Sequence, residues 1–457
     1  MRSDNIDMLH GPLAGKLLRF TLPIALSSMI QQLFNAADTS IVGYFDSADA
    51  LAAVGTNTEI VALIVTLSAG LSLGANILLA EHIGRGEHRH IPAIVQTAIL
   101  LATAAGVCGL MIGQGIARPL LRLIRTPADI FPAAESYLRI YLLGYPFLLL
   151  YDFGAAILRA RGDSRYPFVA LVLSGLANVV LNLLFVLVFH LGVAGVAIAT
   201  AASTLFSAAL VLRRLQKDAL FHLSLRHPRP QWGYIAAILK TGIPSAVQGA
   251  VFCFANIFVQ ASINRFGSVA IAGSTIAMNF EYFTYYAITA FGQTATTFES
   301  QNYAAGQLHR CRKIFWLCLL LSTLCSLGLI VPIVVFRSFF AGLFSGEEAV
   351  TGEACVRILG ILLFEPLCNL YEIPAGALRG AGHATLPAAG TMLGTCAFRI
   401  LWICTAFRTH PSLPWLYRAF PLSWITTILL IALSFVLVRP FAAKPAVTPC
   451  AASQKPR

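Results

Sequence analysis

Apolar runs of about twenty residues or more recur along the whole chain, divided by short polar stretches. Each is long enough to cross roughly 30 Å of hydrocarbon as an α-helix. Soluble strands would be shorter and would alternate in polarity. Twelve spans are predicted, at 16–42, 51–80, 92–117, 134–157, 167–190, 193–215, 235–262, 268–300, 314–341, 350–376, 385–407 and 415–438. The expected fold class is an all-α polytopic membrane protein. The leading segment, MRSDNIDMLHGPLAGK, is polar and lacks the apolar core of a cleavable signal peptide. The first span is therefore expected to serve as an uncleaved insertion signal.

Polar residues break the runs at helical spacing. In the first span Ser27, Gln31, Asn35 and Asp38 form one stripe. An ionised carboxylate at mid-membrane costs at least about 2.5–3.5 kcal/mol, so Asp38 must be protonated, paired, bound to a cation or wet. An aspartate that only ties helices together is the plain alternative. The fifth span carries Ser174, Asn178 and Asn182, each four apart. Their carboxamides suit either Na⁺ or interhelical hydrogen bonds. Thr200 of the sixth span matters only where it faces these two. In the eighth span Glu281 and Tyr285 share a face among Tyr282, Phe283 and Tyr286. That face suits a lipophilic cation, or a polar network inside the protein. Asn256 and Gln260 in the seventh span add to the candidate substrate wall. Glu365 and Glu372 flank Pro366 and Pro374, with Glu372 expected in solvent near a span end. Arg159 and Arg379, at matching span ends, are expected to bind helix carbonyls or lipid phosphate.

Composition sharpens this picture in three ways. Hydrophobic residues make up 57% of the chain and charged residues 11%, less than half the charge of a typical soluble protein. Of the 32 Lys and Arg, 22 fall on the side that carries both termini, 7 on the other and 3 within spans, which predicts cytoplasmic termini. The net charge of +12 thus reads as topology and contact with anionic lipid, not nucleic-acid binding. The cysteines Cys311, Cys318 and Cys325 share one helix face and are expected to be buried small hydrophobes. The His-rich stretch EHIGRGEHRH (81–90) reads as a solvated loop.

The chain also repeats itself. YDFGAAILRARGDSRYP (151–167) aligns without gaps to YEIPAGALRGAGHATLP (371–387), and LLGYP (142–146) to LLFEP (362–366), at an offset of 220. Pro23 and Pro244, Asn35 and Asn256, Gly70 and Gly292, and Gly84 and Gly306 match at 221 to 222. Two copies of a six-helix unit follow: an N-terminal lobe at 1–215, a cytoplasmic linker at 216–231, a C-terminal lobe at 232–440 and a cytoplasmic tail at 441–457. Six is even, so the copies share an orientation and are related by a pseudo-twofold axis along the membrane normal. Two such bundles enclose a central cleft that rocking exposes to each side in turn, the architecture of a transporter. No Walker A motif, HExxH or GxSxG occurs, so no ATPase or hydrolase is expected and no cofactor beyond a coupling ion.

The motifs QQLFNAADTSIVGYF…ALAAVGT, LRARGDSRYP…LANVVLNLLF…GVAGVAIAT and FESQNYAAG resemble the multidrug and toxic compound extrusion (MATE) transporters, most closely their DinF-like bacterial and archaeal branch. The resemblance covers nearly the whole chain. It implies a V-shaped pair of lobes in the cell (inner) membrane, acting as a monomer, that exports organic cations and other drug-like compounds in exchange for H⁺ or Na⁺. It also implies a cation site at Asp38, Asn178, Asn182 and Thr200, with Na⁺ as one candidate metal there, and a substrate wall that includes Gln31, Asn35, Asn256, Gln260, Glu281 and Tyr285. Asn182 stands where the family often has an aspartate, which removes the like-charge coupling between paired acids. One proton per pH unit supplies about 1.4 kcal/mol, so electroneutral one-for-one exchange permits roughly tenfold concentration per unit. A flippase for a lipid-linked precursor is the alternative within the same superfamily. A passive channel and an integral-membrane enzyme are more distant rivals.

Overall fold

The computed structural model describes residues 5–45, 48–124, 126–221, 223 and 230–442. Most of the expected linker's basic core (222 and 224–229) and the tail from 443 lie outside the described residues. Among the described residues twelve helical rods run in chain order. In the first half they are α1 (Ala14–Phe45), α2 (Ala48–Gly84), α3 (Ile91–Leu123), α4 (Phe131–Leu143 and Tyr145–Ala160), α5 (Arg165–Leu183, extended by Leu184–Val188) and α6 (Gly192–Lys217). The second half has α7 (Trp232–Ile263), α8 (Ser268–Ala304), α9 (Leu308–Val335), α10 (Glu348–Gly360 continued to Gly380), α11 (Thr385–Thr391 continued to Cys404) and α12 (Ala419–Val438).

Ten of these rods are long and apolar enough to cross a membrane, and α4 makes an eleventh as a pair of helices bent by 43°. The twelfth, α8, has the length but not the apolarity. Thr294 through Asn302 are all buried, so protein rather than lipid surrounds them, and the Thr294, Thr296 and Thr297 hydroxyls and the Gln301 and Asn302 amides donate hydrogen bonds within it. Lipid would meet the exposed side chains of Met111, Val180, Leu429 and Val436 on the outside of the bundle.

The repeat is visible in the breaks. LLGYP ends the first half of α4 at Gly144, with Pro146 opening the second half. LLFEP turns α10 into a 3-10 stretch, Leu362–Cys368, around Pro366. A proline has no N–H to donate and crowds the preceding turn, so the regular α-helix is interrupted at the same place in both lobes.

The lobes meet at the end that carries the termini. Thr21 and Thr294 share a hydroxyl hydrogen bond at 2.8 Å, and Thr297 donates to Asn76 Oδ1 at 3.0 Å. The Gln301 side-chain amide donates to the Ala160 carbonyl at 2.6 Å. Asn302 and Arg310 hold the Met8 carbonyl, tying the N-terminal segment to the second lobe. At Gly70 a Cβ would sit 2.5 Å from the Ala246 backbone, so only glycine lets α2 and α7 come this close. Farther from that end the described contacts between lobes thin to Tyr286, whose hydroxyl donates to Gln32 Oε1 at 3.3 Å, and the Cys253–Thr66 pair at 3.9 Å. Beyond them the lobes part. The arrangement is a V of two six-helix bundles, closed at the termini end and open at the other.

Candidate functional site

Asp38 lies past the middle of α1, on the open side of the last contacts between lobes, and is only 8% exposed. Three helices converge on it. Asn182 Nδ2 of α5 donates to Asp38 Oδ1 at 2.5 Å, and Thr200 Oγ1 of α6 lies 3.3 Å from Oδ2. Asn182 Nδ2 also reaches Asn178 Oδ1 at 3.2 Å, and Asn178 Nδ2 reaches Thr200 Oγ1 at 3.4 Å. The four residues assigned to a cation site thus form one closed cluster.

The local sequence brings them together. Asn178 and Asn182 are one turn apart, so both point from the same face of α5. One turn earlier Gly175 lies against the Phe34 ring, where any side chain would collide. That close approach lets the short Asp38 side chain reach Asn182.

The donor balance inside the cluster is incomplete. Thr200 has one hydroxyl proton and two acceptors, Asp38 Oδ2 and the Val196 carbonyl at 3.0 Å. Asn182 Oδ1 is buried without a hydrogen-bond partner. Among the described residues no Lys, Arg or His lies within ion-pair distance of Asp38. A buried carboxylate with only neutral donors lacks a counter-charge, which a proton or a small cation would supply. The oxygens available to a cation are those of Asp38, Asn178 and Thr200, joined by Asn182 Oδ1 after half a turn of its amide. The stacked rings of Tyr137 and Tyr141, 6.1 Å between centroids, wall the lobe nearby. A small cavity lined by Tyr141, Gly144, Tyr145, Leu148, Thr200 and Thr204 runs from the cluster to the bend in α4.

The second lobe departs from expectation at Glu281. Its two oxygens accept Arg357 Nε at 2.7 Å and Nη2 at 2.8 Å, and Arg357 Nη1 donates to Ser274 at 2.5 Å. Glu281 is therefore a neutralised partner of an internal arginine, not a free acid awaiting a cation. Its spacing to Tyr285 hid this, because the arginine comes from another helix, α10. Tyr285 is half-buried and stacks on Phe252 at 6.4 Å. Asn256 accepts from Arg399 Nη1 at 3.4 Å, while Gln260 donates to Asn264 at the exposed end of α7. Gln31 is half-buried and Asn35 exposed on α1, and neither is among the groups that touch the Asp38 carboxyl.

Three smaller expectations also change. Glu372 is buried and accepts from Arg379 Nη2 at 2.8 Å, so Arg379 binds a carboxylate rather than helix carbonyls, and Glu372 is not solvated. Cys311 and Cys318 are buried, but Cys325 is exposed. His90 leaves the His-rich loop to bond the Tyr234 hydroxyl at 2.8 Å. Sequence reasoning left the facing of Arg357 and Arg399 open and gave Asp152 no bond. The last accepts from Ser68 at 2.6 Å. The available signal was an arginine inside an apolar run, which needs a partner somewhere.

Comparison with known proteins agrees with this architecture. The MatE family model matches residues 23–184 and 244–403, once in each lobe. The "Probable multidrug resistance protein YpnP" of Bacillus subtilis (strain 168) is 29% identical over 382 residues, 82% of this chain and 84% of that protein. "Probable multidrug resistance protein YoeA" of the same organism is 26% identical over 377 residues, covering 80% and 81%. Among solved structures, the outward-facing conformation of a multidrug resistance MATE family transporter of the MOP superfamily superposes with a TM-score of 0.86. It is 21% identical and covers 96% of this chain and 97% of its own, a likeness of fold. Both lobes match the family model, so the chain is a member of the MatE family of membrane transporters.

Proposed function

We propose that this protein, a multi-pass membrane transporter of the multidrug efflux family, is a secondary active antiporter that exports organic cations or other drug-like compounds against H⁺ or Na⁺. The observation that carries the reading is the Asp38 cluster: a buried carboxylate with neutral donors, an unpartnered Asn182 oxygen and no basic side chain at hand. Occupied by a proton or Na⁺, such a site is neutral and packs tightly; emptied, it exposes a charge that the lobe must hydrate. That difference biases which end of the V is open, the requirement for an ion to drive alternating access. The open end faces away from the termini, so with the termini in the cytoplasm and the chain in the cell membrane this is an outward-open state. The protein would act as a monomer on small molecules within lipid, with no nucleic-acid partner.

A lipid-precursor flippase gains little support from the lobes. Such a role would use arginines that line the cleft. Of the three arginines within the spans, Arg139 is held by Glu135 at 2.9 Å and Arg357 by Glu281 at 2.7 Å, which leaves only Arg399 without a carboxylate among the described residues. The reading is tested in an efflux-deficient bacterial host loaded with ethidium. Expression should lower ethidium accumulation, and collapse of the ion gradients or Asp38→Asn should restore it. Accumulation equal to that of the empty host, with the protein present in the membrane, would remove organic cations from the proposal.

A further inference from the structure

The pseudo-twofold axis pairs each position of one lobe with one of the other, and the pairing changes chemistry at the ion cluster. The offset is 220 up to Pro387. The π segment Met392–Ala397 in α11 adds one residue to the helix, so beyond it the offset becomes 221 and Arg399 takes the place of Asn178. Asn256 answers Asn35, and Val259 stands where Asp38 stands in the first lobe. The π segment Leu184–Val188 adds a residue to the first lobe in turn, returning the offset to 220, where Ser423 answers Ser203 and Phe420 replaces Thr200. The second lobe thus holds the counterpart of the ion site with its acid gone and a guanidinium in place of an amide.

Arg399 is 1% exposed. Its Nε donates to Ser423 at 3.1 Å and its Nη1 to Asn256 at 3.4 Å. Nη2 has no hydrogen-bond partner among the described residues, and no carboxylate there lies within ion-pair distance. The guanidinium sits over the Phe420 ring at 4.1 Å and beside Phe252 at 5.7 Å, contacts that attract a cation without neutralising it. Arg357, another arginine buried in this lobe's spans, shows what a satisfied group looks like: a two-pronged carboxylate and a hydroxyl. A guanidinium has five donors arranged to grip a planar oxyanion, and Arg399 uses two of them on neutral groups. Asn256, Phe252 and Tyr285 are only half-buried, and they lie at and beyond the level where the lobes part.

We propose that Arg399 is an anion-recognition point of the C-terminal lobe, taking a carboxylate or phosphate group of the transported molecule that enters past Asn256, Phe252 and Tyr285. This rests on the transporter reading and extends its substrates to zwitterionic and anionic compounds. One lobe then handles the coupling cation while the other holds the opposite charge.

Two xanthene dyes of similar shape and opposite charge, fluorescein and rhodamine 6G, make the test. Fluorescence polarisation is read on the purified full chain in uncharged maltoside micelles. Wild type should bind fluorescein saturably, with millimolar acetate or inorganic phosphate competing. Asn256→Asp keeps the arginine and the packing but sets a carboxylate against it, and should weaken fluorescein about tenfold or more. Arg399→Gln should do the same. Melting temperatures report whether each variant is folded. Absence of saturable fluorescein binding by folded wild type, or equal affinity in Asn256→Asp, would overturn the assignment. Displacement by phosphatidylglycerol but not by acetate or phosphate would also overturn it, by giving the site to a lipid headgroup. Binding needs no gradient, so these outcomes are independent of whether Asp38 couples transport.

Discussion

Glu281→Gln separates a structural ion pair from a substrate-binding acid. In the structure Glu281 holds Arg357 in a bidentate contact at 2.7 and 2.8 Å, with the arginine 3% exposed. Neutralising the acid leaves a guanidinium buried between α8, α10 and the Tyr417 and Phe420 rings. Removing one partner of a buried pair costs about 3–5 kcal/mol, mostly through the stranded charge. For a lobe-sized unit that corresponds to a fall in melting temperature of roughly 6–20 °C. A thiol-reactive fluorogenic dye in detergent reads the transition, because Cys318, Cys368 and Cys396 are buried until the lobe opens. The double variant Glu281→Gln, Arg357→Met removes both charges and should recover most of the loss, since an apolar pair of similar size replaces an ion pair at little cost. Wild-type melting in Glu281→Gln, together with a selective loss of cation binding, would refute this reasoning and return Glu281 to the substrate wall.

The other predictions concern the N-terminal cluster and the closed end. Thr200→Val removes the hydroxyl nearest Asp38 Oδ2 and should slow gradient-driven transport about tenfold, the equivalent of one charge-assisted hydrogen bond, while Thr200→Ser should retain it; initial efflux rates in vesicles check both. Asn182→Asp sets a second carboxyl against Asp38; the pair would share a proton, so a pH gradient should drive transport more strongly in the variant than in wild type and a Na⁺ gradient less. Gly70→Val forces a side chain into the Ala246 backbone and should favour the state open at the termini end. Greater reaction of a cysteine introduced at Thr297 with a membrane-impermeant maleimide reports that shift, and unchanged reactivity counts against the closed-end packing.

Much of the fold was legible because lipid imposes simple rules. Span length, the charge asymmetry of the loops and the 220-residue repeat follow from sequence alone, and the helix breaks at Gly144 and Leu362–Cys368 fall where the repeat puts Pro146 and Pro366. The Asp38 cluster was legible for a different reason: Asn178 and Asn182 share a face by spacing, while the resemblance alone supplied Thr200. The C-terminal lobe was not legible. For Glu281 the sequence left a cation-binding face and an internal polar network equally open, since its partner, Arg357, lies 76 residues away and helical periodicity carries no information about which neighbour a face meets. Glu372 was misplaced in solvent because its span end is covered by α8, whose polar half reads as a poor membrane segment until it is seen to be enclosed by protein.

The most direct test of the central claim is efflux of rhodamine 6G from proteoliposomes under an imposed Na⁺ gradient, a pH gradient or neither, for wild type and Asp38→Asn. The account predicts that one gradient drives wild-type transport and that Asp38→Asn, inserted and folded, loses that drive. Gradient-driven efflux at the wild-type rate in Asp38→Asn would contradict it.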